Sequence, residues 1–151
     1  FEKYGIPPSV GLAQMALESG RGTSPRARTQ NNLFGYMVYS NNAPGRSYAN
    51  PLQSIEDYAR LIAGDPRYAR AMQFKNDPVR MIQEIKRAGY AEDPDYVAKI
   101  TNMPEFRDYL NYKPPTTQAK PTTQLFSTNS PQQSNPVGDF FGRLFGRQAS
   151  L

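Results

Sequence analysis

Glu18 closes the apolar run Leu12-Ala13-Gln14-Met15-Ala16-Leu17-Glu18 and is followed at once by Ser19-Gly20-Arg21-Gly22. A carboxyl in that setting sits near the negative end of a helix and loses water to Ala16 and Leu17; both effects favour the neutral acid. A carboxyl still protonated near neutral pH is what a general acid for a glycosidic oxygen must be. The same spacing also fits a solvated glutamate in a C-terminal turn, so position opens the chemistry without fixing it.

The rest of the inventory narrows the choice. The 151-residue chain has no His, no Cys and no Trp. That excludes Ser-His-Asp and Cys-His nucleophiles, zinc hydrolases, zinc fingers and disulfide frameworks. Any catalysis falls to carboxylates, Tyr, Lys or backbone groups. The carboxylates are dispersed, so no metal site is read and no cofactor is expected. A net charge of +5 and a pI near 9.5 would suit nucleic acid, but the cations are scattered among acids, with Arg21, Arg26 and Arg28 as the one cluster. Anionic wall polymers would attract the same charge, and no nucleic-acid partner is expected. No run of about 18 apolar residues occurs, so no membrane span is expected. The chain starts at Phe1 with no charged-then-apolar leader, as expected of a chain either cut from a longer precursor or written from mid-sequence.

The elements that must hold Glu18 are punctuated by proline and glycine. Pro7 and Pro8 open a helix with Val10, Ala13, Ala16 and Leu17 inward, stopped by Gly20 and Gly22. Asp65-Pro66, Asp77-Pro78 and Asp93-Pro94 each pair an N-cap acceptor with a preset first helical φ. Ser54 and Asp57 have capping-box spacing. Apolar stripes follow at helical period: Ile55, Tyr58, Ala59, Ile62; Met81, Ile82, Ile85, Ala88; Val97, Ile100, Met103. Gly89 stands where a C′ glycine would end a helix. Only Leu33–Tyr48, around Asn41-Asn42-Ala43-Pro44-Gly45, reads as a small hairpin or irregular lobe. The expectation is a mostly α domain over 1–112.

Composition changes at Lys113. Residues 113–138 are Pro, Thr, Gln, Ser and Asn with a Lys-Pro…Thr-Thr-Gln tandem, too poor in apolar surface to offset ordering entropy; an extended linker is expected. Residues 139–151 repeat Phe-Gly-Arg and set Phe140, Phe141, Leu144 and Phe145 beside Arg143 and Arg147 in sequence. Such a segment is expected to dock on a partner protein.

Four blocks carry a family resemblance: Leu12–Gly22; Asn31-Asn32-Leu33-Phe34-Gly35-Tyr36; Ser54–Tyr58 with Pro66-Arg67-Tyr68; and Ala88-Gly89-Tyr90-Ala91-Glu92-Asp93-Pro94-Asp95-Tyr96 through Ile100. In this order, over about residues 4–104, they resemble the peptidoglycan β-N-acetylglucosaminidases of glycoside hydrolase family 73, which include the hydrolase domain of flagellar rod-assembly proteins and many autolysins. The resemblance implies a lysozyme-like α lobe, a small shortened β-hairpin lobe, and cleavage of β-1,4 links in the glycan strands. It implies that Glu18 is the catalytic acid and Tyr90 the active-site tyrosine. Asn32, Phe34, Gly35 and Tyr36, with Tyr48 and Tyr68, would line the sugar site, rings stacking on sugar faces and the amide bonding a polar group.

This chain departs from the family in two places. Arg21 stands where the family usually has Trp. No Asp or Glu occurs between Glu18 and Glu56, where many members place a second carboxylate. Glu56 and Asp57 are candidates for it, though Asp57 also reads as a cap and Glu56 as a solvated helix face. The resulting expectation is one essential carboxyl, with the substrate's 2-acetamido group as nucleophile and Tyr90 positioning it or a water. The alternatives are a lytic transglycosylase using the same Glu, or a non-catalytic wall-binding component. The tail suggests tethering to a larger assembly, a phage tail or virion before a flagellar rod. Action would then be in the bacterial cell envelope or periplasm.

Overall fold

The structure, a computed structural model, describes residues 1–36 and 45–112. Its described elements are six helices and three short 3₁₀ turns, with no strand among the described residues. The 113–138 linker, the 139–151 docking segment and the turn of the expected hairpin (37–44) lie outside them.

Helix α1 (Pro8–Ser19) is the axis of the fold. Proline opens it and Gly20, at φ 56°, closes it. Every residue from Pro8 to Ala16 is buried, so the apolar face foreseen from spacing is in fact the whole circumference. The ring of Phe1 lies against Gly11, where a Cβ would come within 2.4 Å of it. Around α1 pack α4 (Pro78–Arg87), α5 (Tyr96–Asn102) and α6 (Pro104–Asp108). Leu12, Met15, Ile82, Ile85 and Ile100 are fully buried there. Each such side chain contributes about 1.5–3 kcal/mol through burial.

The proline signals were realised to different degrees. Asp77 caps α4 by accepting from the Arg80 N–H at 3.0 Å. At its far end Gly89 (φ 88°) makes the C′ position of a Schellman turn, with Gly89 N–H to Lys86 O and Tyr90 N–H to Ile85 O. Asp65-Pro66 begins only a 3₁₀ turn, Pro66–Tyr68. Asp93 accepts from the Asp95 N–H at 2.9 Å, a turn that delays α5 to Tyr96. The Ser54–Asp57 capping box is not formed. Helix α3 (Pro51–Gly64) starts earlier because Asn50 accepts from the Gln53 N–H and Pro51 takes the first position. Helices α2 (Pro25–Gln30), capped by Ser24, and α6 had no expectation attached.

The described legs of the 33–48 segment meet through Arg46 N–H to Tyr36 O, 3.1 Å. Asn32 sits between them: its amide donates to Tyr36 O and Arg46 O and accepts from the Tyr36 N–H, all within 3.0 Å. Gly45 eases this approach, since a Cβ there would lie 3.2 Å from Tyr36 O, tighter than ordinary van der Waals contact.

Candidate active site

Glu18 occupies the last turn of α1, half-buried. The turn beyond it is tightly bound. Ser19 Oγ donates to Met15 O at 2.6 Å and accepts from the Gly22 N–H at 2.8 Å, while Ser24 N–H reaches Ser19 O. Gly20, Arg21 and Gly22 all have positive φ, which folds the chain back at once after the helix. Arg21 does not turn towards Glu18; its guanidinium makes a forked pair with Glu105 on α6, at 2.7 and 3.2 Å.

Tyr96, the first residue of α5, donates its hydroxyl to Glu18 Oε1 at 3.2 Å. Its oxygen accepts from Gln14 Nε2 at 3.0 Å, and Gln14 Oε1 accepts from the Tyr58 hydroxyl. Gln14 is one turn before Glu18 and fully buried. Burial pushes the Glu18 carboxyl above its ordinary range, partly offset by the Tyr96 hydroxyl, which favours the charged form. No cation pairs with Glu18 among the described residues.

Tyr90 leaves the Schellman turn of α4 and enters an aromatic cluster. Its ring lies 6.2 Å from Tyr58, 6.4 Å from Tyr68 and 6.1 Å from Tyr96. Burial, with the neighbouring phenols and the Glu18 charge, holds its hydroxyl well above the normal phenol range, so it is a proton donor at any working pH. Tyr90 thus lies beside Tyr68 and beside Tyr96, the tyrosine that holds Glu18.

The other expected sugar contacts are placed differently. Phe34, 6% exposed, is stacked face to face on Tyr58 at 4.0 Å. Asn32, 1% exposed, has its amide committed to backbone. Both face inward: Phe34 backs Tyr58, and Asn32 ties the legs of the 33–48 segment. Gly35 (φ 64°) turns the chain beside them, and Tyr36, half-buried, lies under the Arg46 guanidinium, 4.9 Å from its ring centroid. Tyr48 donates to Asp57 Oδ2 at 2.7 Å, and Arg46 pairs with the same oxygen. Asp57 thus serves the 45–48 leg rather than a helix cap.

Spacing did not single out Gln14, Tyr58 or Tyr96 as partners of the acid. One signal was available: Gln14 is a polar residue set between Ala13 and Met15, one turn after Val10 and one turn before Glu18, and a buried amide needs partners.

Residues 1–107 match the glucosaminidase family, described as mannosyl-glycoprotein endo-beta-N-acetylglucosaminidase. The chain belongs to the glucosaminidase family. This membership makes it a glycoside hydrolase domain, and its mostly α, lysozyme-like architecture is the expected one. It is 35% identical to the peptidoglycan hydrolase FlgJ of Vibrio cholerae, over 74% of this chain and 41% of that protein. It is 28% identical to the exo-glucosaminidase LytG of Bacillus subtilis, over 95% of this chain and 57% of that protein. The chain spans about two fifths of the length of the FlgJ proteins of both Vibrio species it matches. Among solved structures, the glycoside hydrolase domain of Salmonella typhimurium FlgJ superposes with a TM-score of 0.55 at 30% identity, covering 71% of this chain and 77% of that one. A peptidoglycan hydrolase from Sphingomonas sp. A1 gives a TM-score of 0.58 at 30% identity, covering 72% and 83%. No helix among the described residues is long and apolar enough to cross a membrane.

Proposed function

We propose that this glucosaminidase-family domain hydrolyses β-1,4 N-acetylglucosaminyl links in bacterial peptidoglycan, with Glu18 as the general acid. The observation that carries the reading is a half-desolvated carboxyl at the end of α1, with no cation beside it among the described residues and one oxygen held by Tyr96. The names of its relatives, peptidoglycan hydrolase and exo-glucosaminidase, support the polymer and the sugar.

In the first step the 2-acetamido oxygen of the substrate attacks the anomeric carbon as the glycosidic C–O bond breaks. The Glu18 proton passes to the leaving oxygen. Water then opens the oxazolinium ring, giving its proton to the Glu18 carboxylate. Tyr90 donates from its un-ionised hydroxyl to the acetamido group or the water. Candidates for a second acid are otherwise engaged: Asp57 holds Arg46 and Tyr48, and Glu56 holds Tyr4, Lys3 and Arg60. That engagement supports a mechanism with a single essential carboxyl. Tethering through 113–151 to a phage tail or virion, or to a flagellar rod, belongs to the same reading and rests on tail composition. Action would be at the bacterial envelope.

Fragments released from purified peptidoglycan, analysed by mass for wild type and Glu18→Gln, test this. A reducing N-acetylglucosamine end from wild type alone is expected. An anhydromuramyl end would make the domain a transglycosylase, and fragments from Glu18→Gln would remove Glu18 from the chemistry.

A further inference from the structure

The hydrogen bonds around Glu18 run in one direction only. An ionised carboxylate can only accept, so the single Tyr96 proton must point at Glu18 Oε1. The Tyr96 oxygen is then left to accept, which requires the NH₂ end of the Gln14 amide. The Gln14 oxygen must therefore face Tyr58, which donates to it. Every group in the line Tyr58, Gln14, Tyr96, Glu18 has one assignable direction, and all the protons point towards the acid.

The consequence appears when Glu18 takes up its proton. If the proton sat on Oε1 it would have to be donated to Tyr96, whose oxygen already accepts from Gln14. The Tyr96 O–H would then lose its partner inside a packed aromatic cluster, an unfavourable arrangement. With the proton on Oε2, Tyr96 keeps donating and no bond is lost. Oε2 has no hydrogen-bond partner among the described residues. We propose that Tyr96, oriented through Gln14 by Tyr58, is a positioning residue that confines the catalytic proton to Glu18 Oε2, the oxygen free to meet the glycosidic bond. Tyr58 sets the polarity of the line: without its hydroxyl the Gln14 amide is free to turn over and draw the Tyr96 proton away from Glu18.

This rests on the proposed role of Glu18, and the test separates the two. The side-chain carboxyl of Glu18 is titrated by ¹³C NMR in the full chain, assigned by its loss in Glu18→Gln, alongside kcat and KM against pH on purified peptidoglycan. Tyr96→Phe removes a donor to the charged form, so the Glu18 midpoint is expected to rise by about one pH unit. The alkaline limb of kcat rises with it, because the acid must be protonated, and kcat falls about tenfold with KM held. Tyr58→Phe keeps the ring stacked on Phe34 and is expected to shift the midpoint in the same direction by less. An unchanged midpoint in Tyr96→Phe overturns the proposal even if the variant melts earlier. An unchanged midpoint in Tyr58→Phe alone overturns its part in orienting the line. Activity surviving in Glu18→Gln would instead overturn the function itself.

Discussion

Glu18 and Glu56 each accept a hydrogen bond from a tyrosine hydroxyl, Tyr96 for one and Tyr4 for the other. Yet their surroundings drive them in opposite directions. Glu56 lies on the open side of α3. The Tyr4 hydroxyl first, then Lys3 at 3.0 Å and Arg60 at 3.3 Å, hold its carboxyl down to about 2. Glu18 has the phenol but no cation among the described residues, and loss of water dominates, so its carboxyl is held up. A phenol alone does not decide whether a carboxyl becomes an acid or a salt-bridge partner; hydration and nearby positive charge do. A third carboxylate, Glu84, is 3% exposed but surrounded by Arg70, Arg80 and Arg87. Burial without isolation from cations makes a structural tie between helix α4 and the Ala71–Phe74 turn beside Arg70.

The largest test of that contrast is catalytic. Glu18→Gln should lower turnover of purified peptidoglycan by about 10³-fold, whereas Glu56→Gln stays within about twofold. Equal losses in both would erase the distinction. Next in size, Glu84→Ala leaves three guanidinium groups without their common partner and should cost about 2 kcal/mol in urea unfolding. A loss below about 0.5 kcal/mol would mean that Glu84 is solvated like a surface residue. Gly20→Ala places a Cβ at φ 56°, 3.2 Å from Thr23 Oγ1, and should cost about 1 kcal/mol. It should also blunt activity by disturbing the turn that backs Glu18; full activity with the stability loss would show the turn to be uninvolved.

The smallest effect concerns the pH dependence of stability, and the two glutamates should give opposite slopes. The folded Glu56 carboxyl lies below its unfolded value, so its contribution is complete above the unfolded range and is lost as pH falls towards about 2. The folded Glu18 carboxyl lies above its unfolded value, so folded protein binds the extra proton and stability falls as pH rises through that window. Thermal melts across pH should therefore show the acid-side decline flattened in Glu56→Gln. The decline on the higher-pH side should be flattened in Glu18→Gln. Parallel curves for both variants and wild type would contradict the assignment.

How much of this was readable in advance depended on the range of the interactions. Asp77-Pro78 and Gly89 specified both ends of α4 because caps and Schellman turns are completed within a few residues. Ser54 and Asp57 had the right spacing for a cap and the wrong role. Asn50-Pro51 offered an earlier start, and Ser54 was drawn inward to accept from the Leu33 N–H. Asp93-Pro94 formed a turn rather than a helix start because its side chain closes on Asp95. The motif at Asn32 and Phe34 carries an expectation of sugar contact but no information on which way the side chains face. Only packing against Tyr58 and the 45–46 backbone revealed that they face inward.

The sequence by itself determined α1, the glycine that ends it and the acid one residue before its final serine, because backbone geometry and capping are local. It also excluded thiol and imidazole chemistry by composition. Ala16 and Leu17 make desolvation of the acid one of two local possibilities; the tertiary structure decided for it, left it uncompensated by cations among the described residues, and held it from one side. Those properties come from contacts between residues 78 apart for Tyr96 and Glu18, 82 for Gln14 and Tyr96, and 44 for Tyr58 and Gln14. Local spacing carries no trace of such separations, and they exist only once the helices have packed around α1.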